Sequence, residues 1–119
     1  MTDRPGASQQ ITDEVTSWPG VEAGPGDRGS WAFTVGRRQI GHLHGDRVLH
    51  TGFPREVWGE LRRQARIEYH PVFPDRPGPA ARRIETEADI RDVIELLRLN
   101  YDRVVARYGL PVRAEELSA

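Results

Sequence analysis

The chain contains no cysteine and no lysine. Without thiols it can form no disulfide, offer no thiolate nucleophile and ligate no zinc or iron–sulfur centre through sulfur. Without lysine it has neither a Schiff-base amine nor the lysine of a phosphate-binding loop; all 17 basic residues are arginine. No apolar run reaches the roughly 18 residues of a membrane span. The start, Met1-Thr2-Asp3-Arg4, lacks the apolar stretch of a secretory leader, so a cytoplasmic protein with no membrane partner is expected. Charge of one sign is lacking too. The 17 basic and 18 acidic residues give a formal charge of −1, which leaves no long-range field to draw nucleic acid, and none is expected as a partner.

What is present suffices for one core: 119 residues, 37% of them hydrophobic, fit a single domain. Residues 1–9 read as a flexible N-terminal tail, 10–109 as one domain and 110–119 as a polar C-terminal tail. Within the domain, Ile11, Val15 and Trp18 have the spacing of a short amphipathic helix stopped by Pro19-Gly20. Val21 to Ala23 predicts an edge strand. The stretch Gly24-Pro25-Gly26-Asp27-Arg28-Gly29 matches a dinucleotide fingerprint in letters only, because Trp31 to Val35 after it has strand composition where that motif must open a helix. Trp31–Val35, Gln39–His44 and Val48–Thr51 predict a three-strand meander. Pro54 and the spacing of Val57, Trp58, Leu61 and Ala65 predict a helix reaching about Arg66. Short strands are expected over Ile67–Phe73 and Ala81–Ile84. A long final helix is expected from a capping box at Thr86 and Asp89 through Ile90, Val93, Leu97, Tyr101 and Val104 to Tyr108, before Gly109. The sum is an α+β domain with an antiparallel sheet, helices mainly on one face and a long C-terminal helix.

Polar chemistry concentrates in His42-Leu43-His44-Gly45-Asp46 with His50 beyond. Strand alternation sends His42 and His44 to one face. With a two-residue loop His50 falls on the opposite face; with a three-residue loop, Gly45-Asp46-Arg47, His42 opposes His50 and three imidazoles share a face. Such a set could serve as general acid and base, could hold a metal, or could consist of hydrogen-bonded strand histidines with Asp46 serving the turn. The three-residue register would put Arg47 in the left-handed position usually given to Gly or Asn, and on that ground bound metal is expected to be absent or substoichiometric. His70, with Asp75 nearby in sequence, joins the site if its strand lies beside the others. Trp31 and His50 are candidates to contact a ligand. Arg62, Arg63 and Arg66 read as a solvated helix face beside Glu56 and Glu60.

Gly36-Arg37-Arg38-Gln39-Ile40-Gly41-His42-Leu43-His44-Gly45-Asp46, Phe53-Pro54-Arg55, His70 with Pro74-Asp75, and Leu96 to Arg103 together resemble the luciferase-domain family. The fungal luciferases are its named members, and the likeness here is to their small bacterial relatives. The resemblance runs from about Trp18 to Arg107, and Gly41-His42-Leu43-His44-Gly45-Asp46 is its most specific part. Such sequences often carry Glu where Gln39 stands, and Gly-Trp where Gly78-Pro79 stands. The resemblance implies a shared fold and a possible oxidoreductase, a small-molecule-binding domain acting as a cofactor-independent oxygenase, since fungal luciferases oxidise a hydroxylated pyrone with molecular oxygen. On that reading His42, His44, Asp46 and His70 carry catalysis, Trp31, His50 and Asp75 bind a polar aromatic or enol-type substrate, and no cofactor is needed. The element order is also similar to that of double-wing domains, which implies as the alternative a non-catalytic protein- or nucleic-acid-interaction module.

Overall fold

A computed structural model describes residues 5–111. The parts of the expected tails at 1–4 and 112–119 lie outside the described residues. The elements in chain order are α1 (Ala7–Val15), β1 (Val21–Pro25), a 3-10 turn at Asp27–Gly29, β2 (Trp31–Val35), β3 (Arg38–His44), β4 (Val48–Gly52), α2 (Arg55–Arg63), β5 (Glu68–Tyr69), β6 (Pro79–Arg83) and α3 (Glu87–Tyr108). The six strands form one sheet in the order β1-β2-β3-β4-β6-β5, every neighbouring pair antiparallel. The α+β class and the long last helix therefore stand. The meander is one strand longer than expected, because β1 pairs with β2 along its whole length. No helix among the described residues is long and apolar enough to cross a membrane.

All three helices feed one apolar cluster against one sheet face: Ile11 and Val15 from α1, Trp58 and Leu61 from α2, Ile90, Val93, Leu96 and Leu97 from α3, meeting Phe33, Leu43 and Leu49 of the strands. Strand alternation puts Phe33 and Val35 of β2 on that side. Gly41 provides a notch for α3. A Cβ there would come within 2.7 Å of Leu97 Cδ2 and 3.1 Å of Leu49 Cδ1, so the glycine lets helix and strand approach closely. The capping box at Thr86 is complete: Asp89 N–H donates to Thr86 Oγ1 at 3.1 Å, and Thr86 N–H donates to Asp89 Oδ2 at 3.0 Å.

Strand β6 runs Pro79–Arg83 where Ala81–Ile84 is expected, and three elements differ more. Helix α1 begins at Ala7, inside the stretch expected as a tail, and ends before Trp18; the indole is still buried, stacked on Tyr101 with ring centroids 5.3 Å apart. Helix α2 ends at Arg63, short of Arg66, because Ala65 turns left-handed (φ 58°) while Arg66 N–H reaches back to Leu61 O at 3.0 Å and Ala65 N–H to Arg62 O at 3.0 Å. That pair of bonds is a Schellman closure with alanine in the position glycine usually fills. The strand expected over Ile67–Phe73 shrinks to Glu68–Tyr69, since Pro71 cannot donate to a ladder and a turn from His70 O to Phe73 N–H, 2.9 Å, reverses the chain.

Leu97 is fully buried against the Gly41 notch. Replacing it with Ala is expected to cost roughly 2–5 kcal/mol in chemical denaturation, the range for a deeply buried leucine whose cavity cannot collapse. A loss below about 0.5 kcal/mol, the size of an exposed-surface effect, would show the helix is not seated there.

Candidate functional site

The side of the sheet away from the helices carries the histidines. In β3 and β4 the pairs are His42↔His50 and His44↔Val48, the register of a three-residue loop, and directly opposed residues share a face. The expected obstacle to this register does not arise. The left-handed residue of the turn is Gly45 (φ 59°), and Arg47 keeps a negative φ while its N–H closes the turn on His44 O at 3.3 Å. Ring centroids lie 5.1 Å apart for His42–His44, 5.5 Å for His42–His50 and 4.6 Å for His44–His50. One nitrogen from each of the three rings falls within 4.8 Å of those of the other two, a group that could hold a metal ion.

Sequence spacing gave no sign that Gln39 belongs here, since it stands an odd number of residues from His42 and alternation would turn it into the core. A β-bulge changes that. Phe33 pairs with Gly41 but Thr34 pairs with Gln39, which leaves Ile40 as the extra residue and swings Gln39 to the histidine side. Its Oε1 then accepts a hydrogen bond from His42 Nδ1 at 2.6 Å. The bulged Ile40 carbonyl is held from the other side by Thr51 Oγ1–H at 2.8 Å and by Asn100 Nδ2 at 3.3 Å; the Asn100 amide also donates to Gly52 O at 2.9 Å. Asn100 is buried inside α3, a position where an amide without partners would cost a full desolvation penalty.

His70 reaches the cluster from the turn after β5, its ring centroid 4.1 Å from that of His50. Its Nδ1 accepts from Val72 N–H at 3.1 Å, which places the proton of the neutral ring on Nε2. Two cavities meet at this wall. One, about 450 Å³, is bounded by Asp27, Arg28 and Ser30 of the β1–β2 connection together with all four histidines and Phe73. The other, about 670 Å³, shares Gln39, His42, His50, His70 and Phe73 with it and extends to Arg37, Arg38, Arg103 and Tyr108; among the described residues no carboxylate lines it. Arg38 stacks on the Tyr108 ring, 3.4 Å from its centroid.

Not every expected site residue comes to this wall. Asp46 lies at the far end of the hairpin, where its carboxylate accepts from Ser8 N–H at 2.8 Å at the start of α1. Trp31 pairs with Leu43, so alternation puts it on the helix-side face, 36% exposed at the sheet's end. Asp75 is exposed and borders neither cavity. Glu60 engages Arg63 within α2 at 2.7 Å, and Asp92 engages Arg66, beyond the helix end, at 2.6 Å.

Burial first, then the proximity of the other imidazoles, holds His42 and His50 below the ordinary histidine range, His50 at about 4; burial and His44 lower His70. Asp27 pulls His42 weakly in the opposite direction. These rings are therefore neutral at pH 7, each with a lone pair available. A histidine whose folded value lies below its unfolded value near 6.5 binds more protons when unfolded, so stability falls as acid is added through that interval. The urea midpoint is expected to drop between pH 7 and 4 and to drop less in His50→Asn. A midpoint that rises over that interval would contradict the environment described.

The family model described as Luciferase domain matches residues 37–100, more than half of the 119 residues. No curated protein and no solved structure matches the chain. The matched stretch opens at Arg37, just before the bulged strand, and closes at Asn100, which clasps that bulge; it contains all four histidines. The chain belongs to the luciferase-domain family.

Proposed function

We propose that the chain binds a small polar aromatic or enol-type molecule at the histidine wall and oxidises it with molecular oxygen, without an organic cofactor. The observation that carries this reading is the polarity of the paired cavities: imidazoles at one end, and at the other three guanidiniums with no carboxylate among the described lining residues. A hydroxyl of the ligand sits over the histidines, and a carboxylate or similar anionic group of the same molecule lies among Arg37, Arg38 and Arg103. Paired guanidinium–carboxylate hydrogen bonds would fix its orientation.

Ionisation of the hydroxyl is the step such a site favours. A cluster imidazole accepts the proton, and His70 Nε2–H stabilises the oxyanion. The resulting enolate is electron-rich at carbon. Its electron pair forms a C–O bond to molecular oxygen, the carbon is oxidised, oxygen is reduced to the peroxide level, and the abstracted proton returns to the peroxide anion. His42, His44 and His70 carry the proton chemistry and His50 completes the wall. Asp46 serves this reading by holding α1 to the hairpin, and Trp31 and Asp75 stand apart from the proposed ligand. The alternative of an interaction module acting through the arginines of α2 and the turn after it draws less support, because Arg63 pairs with Glu60 and, beyond the helix, Arg66 with Asp92.

Fluorescence titration with 7-hydroxycoumarin-3-carboxylate, a phenol and an acid in one small ring system, tests the binding half. Saturable binding is expected, weakened about tenfold or more by Arg37→Gln with Arg38→Gln, as loss of charge-assisted hydrogen bonds predicts. His42→Val with His44→Thr is expected to leave the melting temperature unchanged or raised, since β-branched residues suit the strand better than packed imidazoles, while weakening the probe. Binding that survives both pairs of substitutions would overturn the site. An oxygen electrode with a panel of hydroxypyrones tests the redox half: uptake is expected, and none across the panel would leave a binding protein only.

A further inference from the structure

His42, His44 and His50 come from two strands and converge on one point, an arrangement that packs poorly yet leaves three nitrogens within 4.8 Å of one another. Tetrahedral ligation at about 2.0–2.1 Å places imidazole nitrogens roughly 3.3 Å apart, a change that small rotations of half-buried rings can make. The second observation concerns which nitrogens are free. Gln39 Oε1 can only accept, so His42 Nδ1 is the donor at 2.6 Å and its Nε2 lone pair is left pointing elsewhere. Holding the far nitrogen of a ligating imidazole with a side-chain acceptor is the usual way a protein orients a metal ligand and raises its basicity. His70 is arranged in the opposite sense: Val72 N–H occupies its Nδ1 at 3.1 Å, so its Nε2 carries hydrogen and is a donor.

We propose that His42, His44 and His50 bind one divalent transition-metal ion, with Gln39 positioning His42 and with His70 outside the ligand set, donating to the group in the ion's open position. Imidazole donors without sulfur or carboxylate suit zinc, iron, nickel or copper and disfavour magnesium and calcium. Asp46 cannot supply a carboxylate ligand from the far end of the hairpin, where it is bonded to Ser8. Three neutral ligands leave the ion its full double charge, which makes it a strong acceptor for a phenolate or enolate oxygen. With the ion bound, His42, His44 and His50 act as ligands, so the proton-accepting role given above to a cluster imidazole belongs to the metal-free protein, and a coordinated hydroxyl loses its proton to solvent. This deepens the small-molecule reading but does not rest on the ligand's identity, because the ion can be measured alone.

The test uses full-length protein purified without a histidine tag, stripped with EDTA and titrated with Zn²⁺ by calorimetry and with Co²⁺ by visible absorption. One equivalent is expected to bind below micromolar, to raise the melting temperature in proportion to the logarithm of free Zn²⁺, and to give Co²⁺ the intense visible bands of a four- or five-coordinate site. Circular dichroism and the melting temperature of the metal-free protein establish that each variant is folded. His44→Ala and His50→Ala should each abolish stoichiometric binding. Gln39→Ala should weaken it about 10- to 100-fold, the usual range for a lost supporting hydrogen bond, and Gln39→Glu should restore it. His70→Asn should leave Zn²⁺ affinity within about threefold. Binding weaker than about 100 µM, or binding that survives His44→Ala and His50→Ala, overturns the site; loss of binding in His70→Asn overturns the division of roles. Metal binding without coumarin binding would sink the ligand reading alone, and the reverse would sink this one alone.

Discussion

The site depends on one backbone irregularity, the extra residue Ile40 in β3. A strand of regular period would send Gln39 into the core and Ile40 towards the histidines; the bulge exchanges them, burying Ile40 and bringing Gln39 to His42. A bulge leaves a carbonyl without its ladder partner, and near a core that carbonyl must be satisfied. Thr51 and Asn100 do this together, and Asn100 spans from α3 to β3 and β4 at once. The polar bond inside the core therefore sets the geometry of the opposite face. Arg103 completes the latch through the Asn100 carbonyl oxygen, so the guanidinium end and the histidine end of the paired cavities share a single support.

The two faces of the sheet meet different demands. Against the helices, Phe33, Leu43, Leu49 and Leu97 are fully buried and the Gly41 notch leaves no slack, which is where stability resides. On the other face, four imidazoles crowd together half-buried, and burial with the neighbouring rings opposes protonation of His42, His50 and His70. Aliphatic strand residues would hold that face more cheaply. Such an arrangement persists in a fold whose stability comes from elsewhere, and strained polar clusters of this kind gather at functional sites.

Most of the fold is legible in the sequence because its periods are long and uninterrupted. The α3 stripe from Ile90 to Tyr101 and the box at Thr86 and Asp89 define the helix without tertiary help. The three-residue turn was legible as one of two registers, and the deciding residue was Gly45, which can turn left-handed itself and so relieves Arg47 of that task. The bulge was not legible. Nothing in Arg38-Gln39-Ile40-Gly41 distinguishes a bulged from a regular strand, because the choice is made by Thr51 and by Asn100, 60 residues away along the chain. The partner of Asp46 was not legible either: near His44 in sequence, its carboxylate accepts from Ser8 N–H at the start of α1. Ala65 hides the end of α2, since alanine ordinarily continues a helix and only the closing bonds to Leu61 and Arg62 turn it left-handed.

The two histidines outside the hydrogen-bonded pairings, His44 and His50, are the ones whose roles the surroundings leave least constrained, and this bears on how the site can work. His42 and His70 are each fixed by one ring nitrogen, the first by an acceptor and the second by a donor, so they present opposite functions to the cavity: a lone pair and a proton. A ligand oxygen between them meets both an electron-pair donor and a hydrogen-bond donor, which cannot together bind an anion well unless something positive stands on the His42 side. A proton on that side would be opposed by the same burial and repulsion that hold the rings neutral. A metal ion, as proposed above, would bring positive charge there with its desolvation cost offset by the lone pairs of the three rings. On the proposal that the hairpin histidines share a cation, the opposed tautomers of His42 and His70 would serve one anionic oxygen, the ion attracting it and His70 Nε2–H donating to it.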